Sequence, residues 1–254
     1  MENEQPRERQ LGRLRTWNIV VGLILAAQAA AMAILTNNFS LPVTATFMSG
    51  PPGTVPSLEY LFDIPTGWGV FTFLAISAGA LLLIATLVFP WYKRNLLQSR
   101  NYGRWIEYFF SSSIMIVLIS QITGISDIAA LLNIFGINAS MILFGALQEK
   151  YEKPGKPNWL PFWFGSFSGL IPWIAIVVYV WATGIDASPP GFVYGIIISL
   201  FIFFNSFAVN MFLQYKKVGR WKDYLFGERM YIVLSLVAKT ALAWQIFAGT
   251  LAPV

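Results

Sequence analysis

The sequence predicts an all-α membrane protein, a bundle of seven transmembrane helices with its N-terminus in the cytoplasm. Three observations predict it. Hydrophobic residues fill 56% of the 254 positions and charged residues only 11%, when a soluble domain carries about 25% charged residues. Seven stretches are apolar over the roughly 20 helical residues that a bilayer core requires. Of the 17 Lys and Arg, 16 fall on one side of the resulting pattern, as the positive-inside rule demands of cytoplasmic loops.

The spans are read at about 16–36, 67–91, 104–123, 127–148, 160–183, 191–214 and 228–251. The first follows arginines and ends among small residues, as a signal peptide does, but its apolar run is longer than an h-region and reads as an uncleaved anchor. Arg7, Arg9, Arg13 and Arg15 precede it. Lys93, Arg94, Arg100 and Arg104 lie between spans 2 and 3 or open span 3, and Lys150, Lys153 and Lys156 follow span 4. Lys216, Lys217, Arg220 and Lys222 follow span 6, and Arg229 opens span 7. The C-terminus is thereby placed outside, in a multi-pass protein of the cell membrane. The longest loop, at about 37–66, is external; residues 44–48 read as an extended segment and residues 49–53, with two Pro and two Gly, as a turn. A small β-hairpin over the external face is expected there. The whole of 1–254 reads as one membrane domain.

Composition also excludes. Without cysteine there is no disulfide framework or thiolate metal site, and without histidine the commonest metal ligand and proton shuttle is missing. No metal site is expected, and an enzyme is the least favoured class. The net charge of +5 is spread over short clusters between apolar segments, so it reads as topology rather than nucleic-acid binding.

Setting the topology charges aside leaves Lys239 deep in span 7 and Glu107 in span 3. Ionisable groups at such depth are costly and point to function. Lys239 lies ten residues past Arg229, and its side chain leans back toward the cytoplasm, giving a depth of about 10 Å. Glu107 lies seven residues past Arg100, again about 10 Å deep. The two can meet. A plain ion pair between spans 3 and 7 is one reading, though such a pair seldom outdoes apolar packing. The other is a lysine amine forming a Schiff base with a carbonyl ligand, with Glu107 as counter-ion. Arg104 one turn before the carboxylate, Asn138, Met141 and Gly145 in span 4, and Phe203, Phe204 and Phe207 in span 6 suit a site for a flat apolar ligand.

Several segments together resemble microbial rhodopsins, and closely one branch, the heliorhodopsins. They are Arg104-Trp-Ile-Glu-Tyr108, Ser111-Ser-Ser-Ile-Met115, Gly136-Ile-Asn-Ala-Ser-Met-Ile-Leu-Phe-Gly145, Pro161-Phe-Trp-Phe-Gly165, Phe192-Val-Tyr-Gly-Ile196, and Tyr231-Ile-Val-Leu-Ser-Leu-Val-Ala-Lys239 continuing to Phe247. The resemblance implies all-trans retinal on Lys239 as a protonated Schiff base, with Glu107 as sole counter-ion. It places Tyr108, Ser111, Ser112, Met115, Met141, Ile142, Gly145, Phe204 and Phe207 near the polyene, with Arg104, Ser235 and Asn138 close by. Where proton-pumping relatives carry a second carboxylate and a proton donor, this chain has Ser235 and Leu118, which disfavours pumping and implies a sensory role. Histidines that some heliorhodopsins carry correspond here to Leu25 and Leu81. The acceptor of the Schiff-base proton is thus open among Glu107, waters near Ser77 or Asn138, and a rearranged Arg104.

The reading is a light sensor that signals through a conformational change, with an unidentified cytoplasmic partner, a surrounding lipid bilayer, and a homodimer implied by the family and the long external loop. The alternative is a light-driven or light-gated ion or proton transporter. A retinal-free transporter using Lys239 and Glu107 as a coupling pair is the third.

Overall fold

The computed structural model describes residues 4–181 and 189–251. Eight α-helices run in chain order: α1 (Glu4–Leu35), α2 (Thr66–Ala85), α3 (Phe89–Leu97), α4 (Tyr102–Ile122), α5 (Ile128–Tyr151), α6 (Leu160–Trp181), α7 (Gly191–Lys216) and α8 (Tyr224–Ile246), the last extended by a π turn to Leu251. All but α3 are long and apolar enough to cross a membrane. The last two residues expected in span 5, 182 and 183, lie outside the described residues.

α1 is longer than its apolar stretch and runs into the arginine-bearing segment before it. Leu11, Leu14, Asn18, Val21, Leu25 and Met32 are all buried, and their alternating spacing of three and four makes one stripe facing the bundle. Arg15 reaches across to donate to the carbonyl of Ala85 at 2.8 Å, where α2 leaves its last carbonyls unpaired.

Span 2 departs from expectation. Residues 67–91 are not one helix: α2 stops at Ala85, and the short amphipathic α3 begins at Phe89. Pro90 stands in the first turn of α3, where a missing N–H costs nothing, whereas inside α2 it would remove a hydrogen bond and clash with the preceding turn. α3 then buries Tyr92 and Leu96. Three helix entries carry side-chain caps: Asn101 accepts from the Arg104 amide at 3.1 Å, Asp127 from Ala130 at 3.0 Å, and Asp223 from Leu225 at 3.1 Å.

The loop between α1 and α2 forms the expected hairpin. β1 (Ser40–Phe47) pairs antiparallel with β2 (Ser57–Pro65), with a bulge between Val43 and Thr44. It is seated on the bundle by Thr44, whose amide donates to the Ser126 carbonyl at 2.9 Å and whose hydroxyl lies 2.9 Å from that of Ser126.

Where β2 runs into α2, a Cβ on Gly67 would fall on the Thr36 side chain, while one on Gly136 would meet nothing within 4 Å. Gly67→Ala is expected to lower stability by about 1–3 kcal/mol through overpacking. Gly136→Ala should be neutral or raise it by up to about 1 kcal/mol. The apparent unfolding temperatures of the two purified variants, compared with the parent, check both.

Candidate functional site: a buried lysine between two cavities

α4 and α8 bring Lys239 and Glu107 together. The two side chains are about 4% and 5% exposed, and the Lys239 Nζ lies 3.2 Å from the Glu107 Oε1. Ser235, one turn before the lysine, accepts from Nζ at 2.6 Å. The same Glu107 oxygen accepts from the Ser77 hydroxyl at 2.5 Å. Nζ also stands 5.1 Å from the centre of the Tyr108 ring. A buried carboxylate and ammonium so held satisfy each other's charge where water cannot.

On one side of this pair opens an apolar cavity walled by α4, α5, α6, α7 and α8. Of the residues expected near a polyene, Tyr108, Ser112, Met115, Met141, Ile142, Gly145, Phe204, Phe207 and Lys239 line it. Two do not. The Ser111 hydroxyl is buried and makes no hydrogen bond. Asn138 donates instead to Ser112 at 2.9 Å and Ser113 at 3.1 Å, so it braces α5 against α4 rather than facing the cavity. Gly145 has a different use from a gap for the ligand: a Cβ there would strike the Trp105 ring, so this glycine admits an indole to the wall.

Trp105, Pro161, Phe162, Gly165, Ser166, Ala208, Met211, Tyr231 and Ala238 also line the cavity and were absent from the expected set. Their signal is helical spacing. Trp105, Tyr108, Ser112 and Met115 recur on one face of α4, and Phe204, Phe207, Ala208 and Met211 on one face of α7. An amine opening into an apolar, aromatic-walled cavity between helices suits a flat apolar carbonyl ligand such as retinal.

On the other side lies a smaller cavity whose lining mixes apolar side chains with the polar Asn18, Asn101, Arg104, Glu107, Glu228 and Ser235. Tyr108 and Tyr231 line both cavities, and the Tyr108 hydroxyl donates to the Tyr231 carbonyl at 3.2 Å. These two aromatics are the partition.

Arg104 corrects the charge reading. Grouped above with the loop cations, it is 6% exposed and paired with Glu149 at 2.6 Å and Glu228 at 3.3 Å. Its guanidinium stacks on Tyr231 and Trp105, 3.7 and 4.4 Å from the ring centres. Lys239 is therefore not the one basic residue held inside the bundle, nor is Glu107 the one acid. Glu149 also accepts from the Trp105 indole at 2.6 Å, the Asn101 amide at 2.7 Å and the Tyr224 hydroxyl at 2.9 Å. Nearby, burial pushes the Tyr92 phenol above its usual range and the charge of Glu228 adds to the shift, so Tyr92 stays neutral.

Arg104→Gln would leave two buried carboxylates without their cation, and a loss of about 3–5 kcal/mol is expected. Lys93→Gln, which breaks the exposed pair with Glu8, should cost under about 1 kcal/mol. Apparent unfolding temperatures in detergent check the contrast.

The chain has a solved structural neighbour, the rhodopsin of Coccomyxa subellipsoidea, described as a light-driven proton pump. The two share 17% identity with a TM-score of 0.63, over 93% of this chain and 96% of that one. At that identity the likeness establishes the fold, a microbial-rhodopsin bundle, and nothing about pumping. No curated protein matches the sequence. The sequence itself matches the Heliorhodopsin family over residues 14–251. With a buried lysine and counter-charge in a microbial-rhodopsin fold, the chain belongs to the heliorhodopsin family of retinal photoreceptor proteins.

Proposed function

We propose that the protein is a light sensor in which Lys239 holds all-trans retinal as a protonated Schiff base and Glu107 is its counter-ion. The observation that carries this reading is the 3.2 Å approach of Lys239 and Glu107 beside the apolar cavity that Lys239 lines. When bound, retinal supplies a light-driven double-bond isomerisation that turns the nitrogen's N–H to a new direction. The protein's own groups do the rest. Glu107, fixed by the Ser77 hydroxyl, stabilises a positive charge at the Lys239 nitrogen in a low-dielectric site. Tyr108, Met115, Met141 and Phe207 shape the cavity and exclude water. Arg104, in contact with α5 and α8 through its two carboxylates, carries a change at Glu107 to the ends of those helices, the bistable packing on which such switches rest.

The charge distribution supports a cytoplasmic N-terminus and a signal delivered on the cytoplasmic face to a partner there. A homodimer is proposed from the family and the external hairpin. Pumping is disfavoured because Ser235 and Leu118 stand where pumps hold a second carboxylate and a proton donor. Ser235 is already engaged with Nζ at 2.6 Å, and Leu118 is a buried apolar side chain. The competing reading, a light-driven or light-gated transporter, requires a proton or ion to cross the bundle.

With all-trans retinal, the purified protein should develop a visible absorption band that Lys239→Ala abolishes entirely. Glu107→Gln should move it to longer wavelength, because the carboxylate no longer pins the positive charge at the nitrogen. If the parent protein formed no visible band, the chromophore reading would fall. Illuminated vesicles containing the protein should show no sustained pH change or photocurrent. A steady, uncoupler-sensitive signal would establish the transporter instead.

A further inference from the structure

The cluster around Arg104 holds one guanidinium against two carboxylates, so it carries one negative charge in excess where charge is costly. The two acids are unequally served. Glu149 receives four hydrogen bonds, from Arg104, Trp105, Asn101 and Tyr224. Glu228, 1% exposed, receives one, from the Asn101 side chain at 2.6 Å onto Oε2. Its Oε1 is near Arg104 as an ion pair but accepts no hydrogen bond, and the Nε and Nη1 of Arg104 find no acceptor either. An oxygen so placed is where a proton lowers the cost of burial, since a carboxylate without its hydrogen bonds pays its full desolvation.

Arg104 and Glu228 line the same small cavity as Glu107 and Ser235, the two groups that touch the Lys239 nitrogen. The cavity has room for a bridging water, and Arg104, Glu107, Glu228 and Ser235 in its lining offer the polar groups to hold one. Other routes are blocked or occupied. Leu25 and Leu81, on α1 and α2, are buried apolar side chains that cannot take a proton. Ser77 is committed to Phe73 and Glu107, and Asn138 is turned to Ser112 and Ser113.

We propose that Glu228 is the internal proton acceptor of the light cycle, taking onto Oε1 the proton that leaves the Lys239 nitrogen. This rests on the chromophore reading above. The step balances: an N–H bond breaks at Lys239, an O–H bond forms at Glu228, and no electron is transferred. The total buried charge is unchanged. Glu107 loses its partner cation, and the unbonded N–H groups of Arg104 in the same cavity become its new partners as Glu228 turns neutral. The titratable and charged groups around Glu228 are Arg104, Glu107 and Tyr108 of α4, Glu149 of α5, Tyr92 of α3, Tyr215 of α7, and Tyr224 and Tyr231 of its own helix. Among them Glu149 is the rival acceptor, but each of its oxygens already accepts two hydrogen bonds.

Infrared spectroscopy of the full chain tests this in two arms. In the retinal-free protein, acidification should produce a buried carboxylic C=O band that shifts in Glu228→Asp and vanishes in Glu228→Gln. In the retinal-loaded protein, the light-minus-dark spectrum should gain the same band as the nitrogen loses its proton, with the same response to both variants. A retained dark visible band shows that each variant is folded. A band that follows Glu107→Asp or Glu149→Asp overturns the proposal. So does a proton that reaches an external pH dye with no new carboxylic band. Should the parent protein form no pigment, the chromophore reading falls and the light-driven step falls with it, while the acid titration still decides whether Glu228 is the buried proton site.

Discussion

A charge carried into an apolar bundle has to find its opposite there, and the interior of this protein is organised by that requirement. Two cations enter it. Lys239 meets Glu107, and Arg104 meets Glu149 and Glu228. Because α4 contributes one member to each group, it is the helix through which both are tied to α8, and through Glu149 to α5. Ser77 and Ser235 add hydrogen bonds at the first group, and Asn101 at the second. Isolated pairs of this kind add little net stability, but each becomes expensive to break. Relative placement of the helices is the result.

Local structure serves the same end. The break after Ala85 and the proline-led start of α3 turn the chain so that Tyr92 packs under the second charge group. There the Asn18 side chain donates to the Tyr92 hydroxyl at 3.3 Å. Asn101 sits at the N-cap of α4 and faces three tasks at once. Its side-chain oxygen caps the helix, its side-chain nitrogen donates to Glu228, and its amide donates to Glu149. The start of α4 is thereby fixed to the same carboxylates that hold Arg104.

How much of this could be read beforehand follows from where each residue falls. The spans were legible because a bilayer imposes a length, and the hairpin because Pro and Gly mark its turn. Lys239 and Glu107 were legible because each stands well inside an apolar run, at depths that helical rise and the backward lean of the lysine side chain make equal. Arg104, Glu149 and Glu228 were not. They lie within a turn or two of helix ends, beside less buried charges such as Arg100, Lys150 and Arg229, and one-dimensional counting cannot tell a side chain folded inward from one in solvent. Apolar Leu87 and Val88 hid the break in span 2 in the same way, although Pro90 signalled it. Asn138 and Gly145 stood at the right spacing for the cavity, but what they touch depends on Ser112 and Trp105 across the helix contact, which no spacing rule supplies.

Trp105 joins the two halves of this interior. One face of its indole forms part of the apolar wall, seated in the space that Gly145 leaves, while its Nε1–H is tied to Glu149 at 2.6 Å. An indole is a rigid plate with only two torsions, so it cannot yield on one side and stay still on the other. Any tilt imposed by the shape of what fills the cavity stretches or bends the hydrogen bond at its edge. Volume in the apolar chamber is in this way converted into a change in the field around Arg104, by a single lever whose fulcrum is a missing side chain.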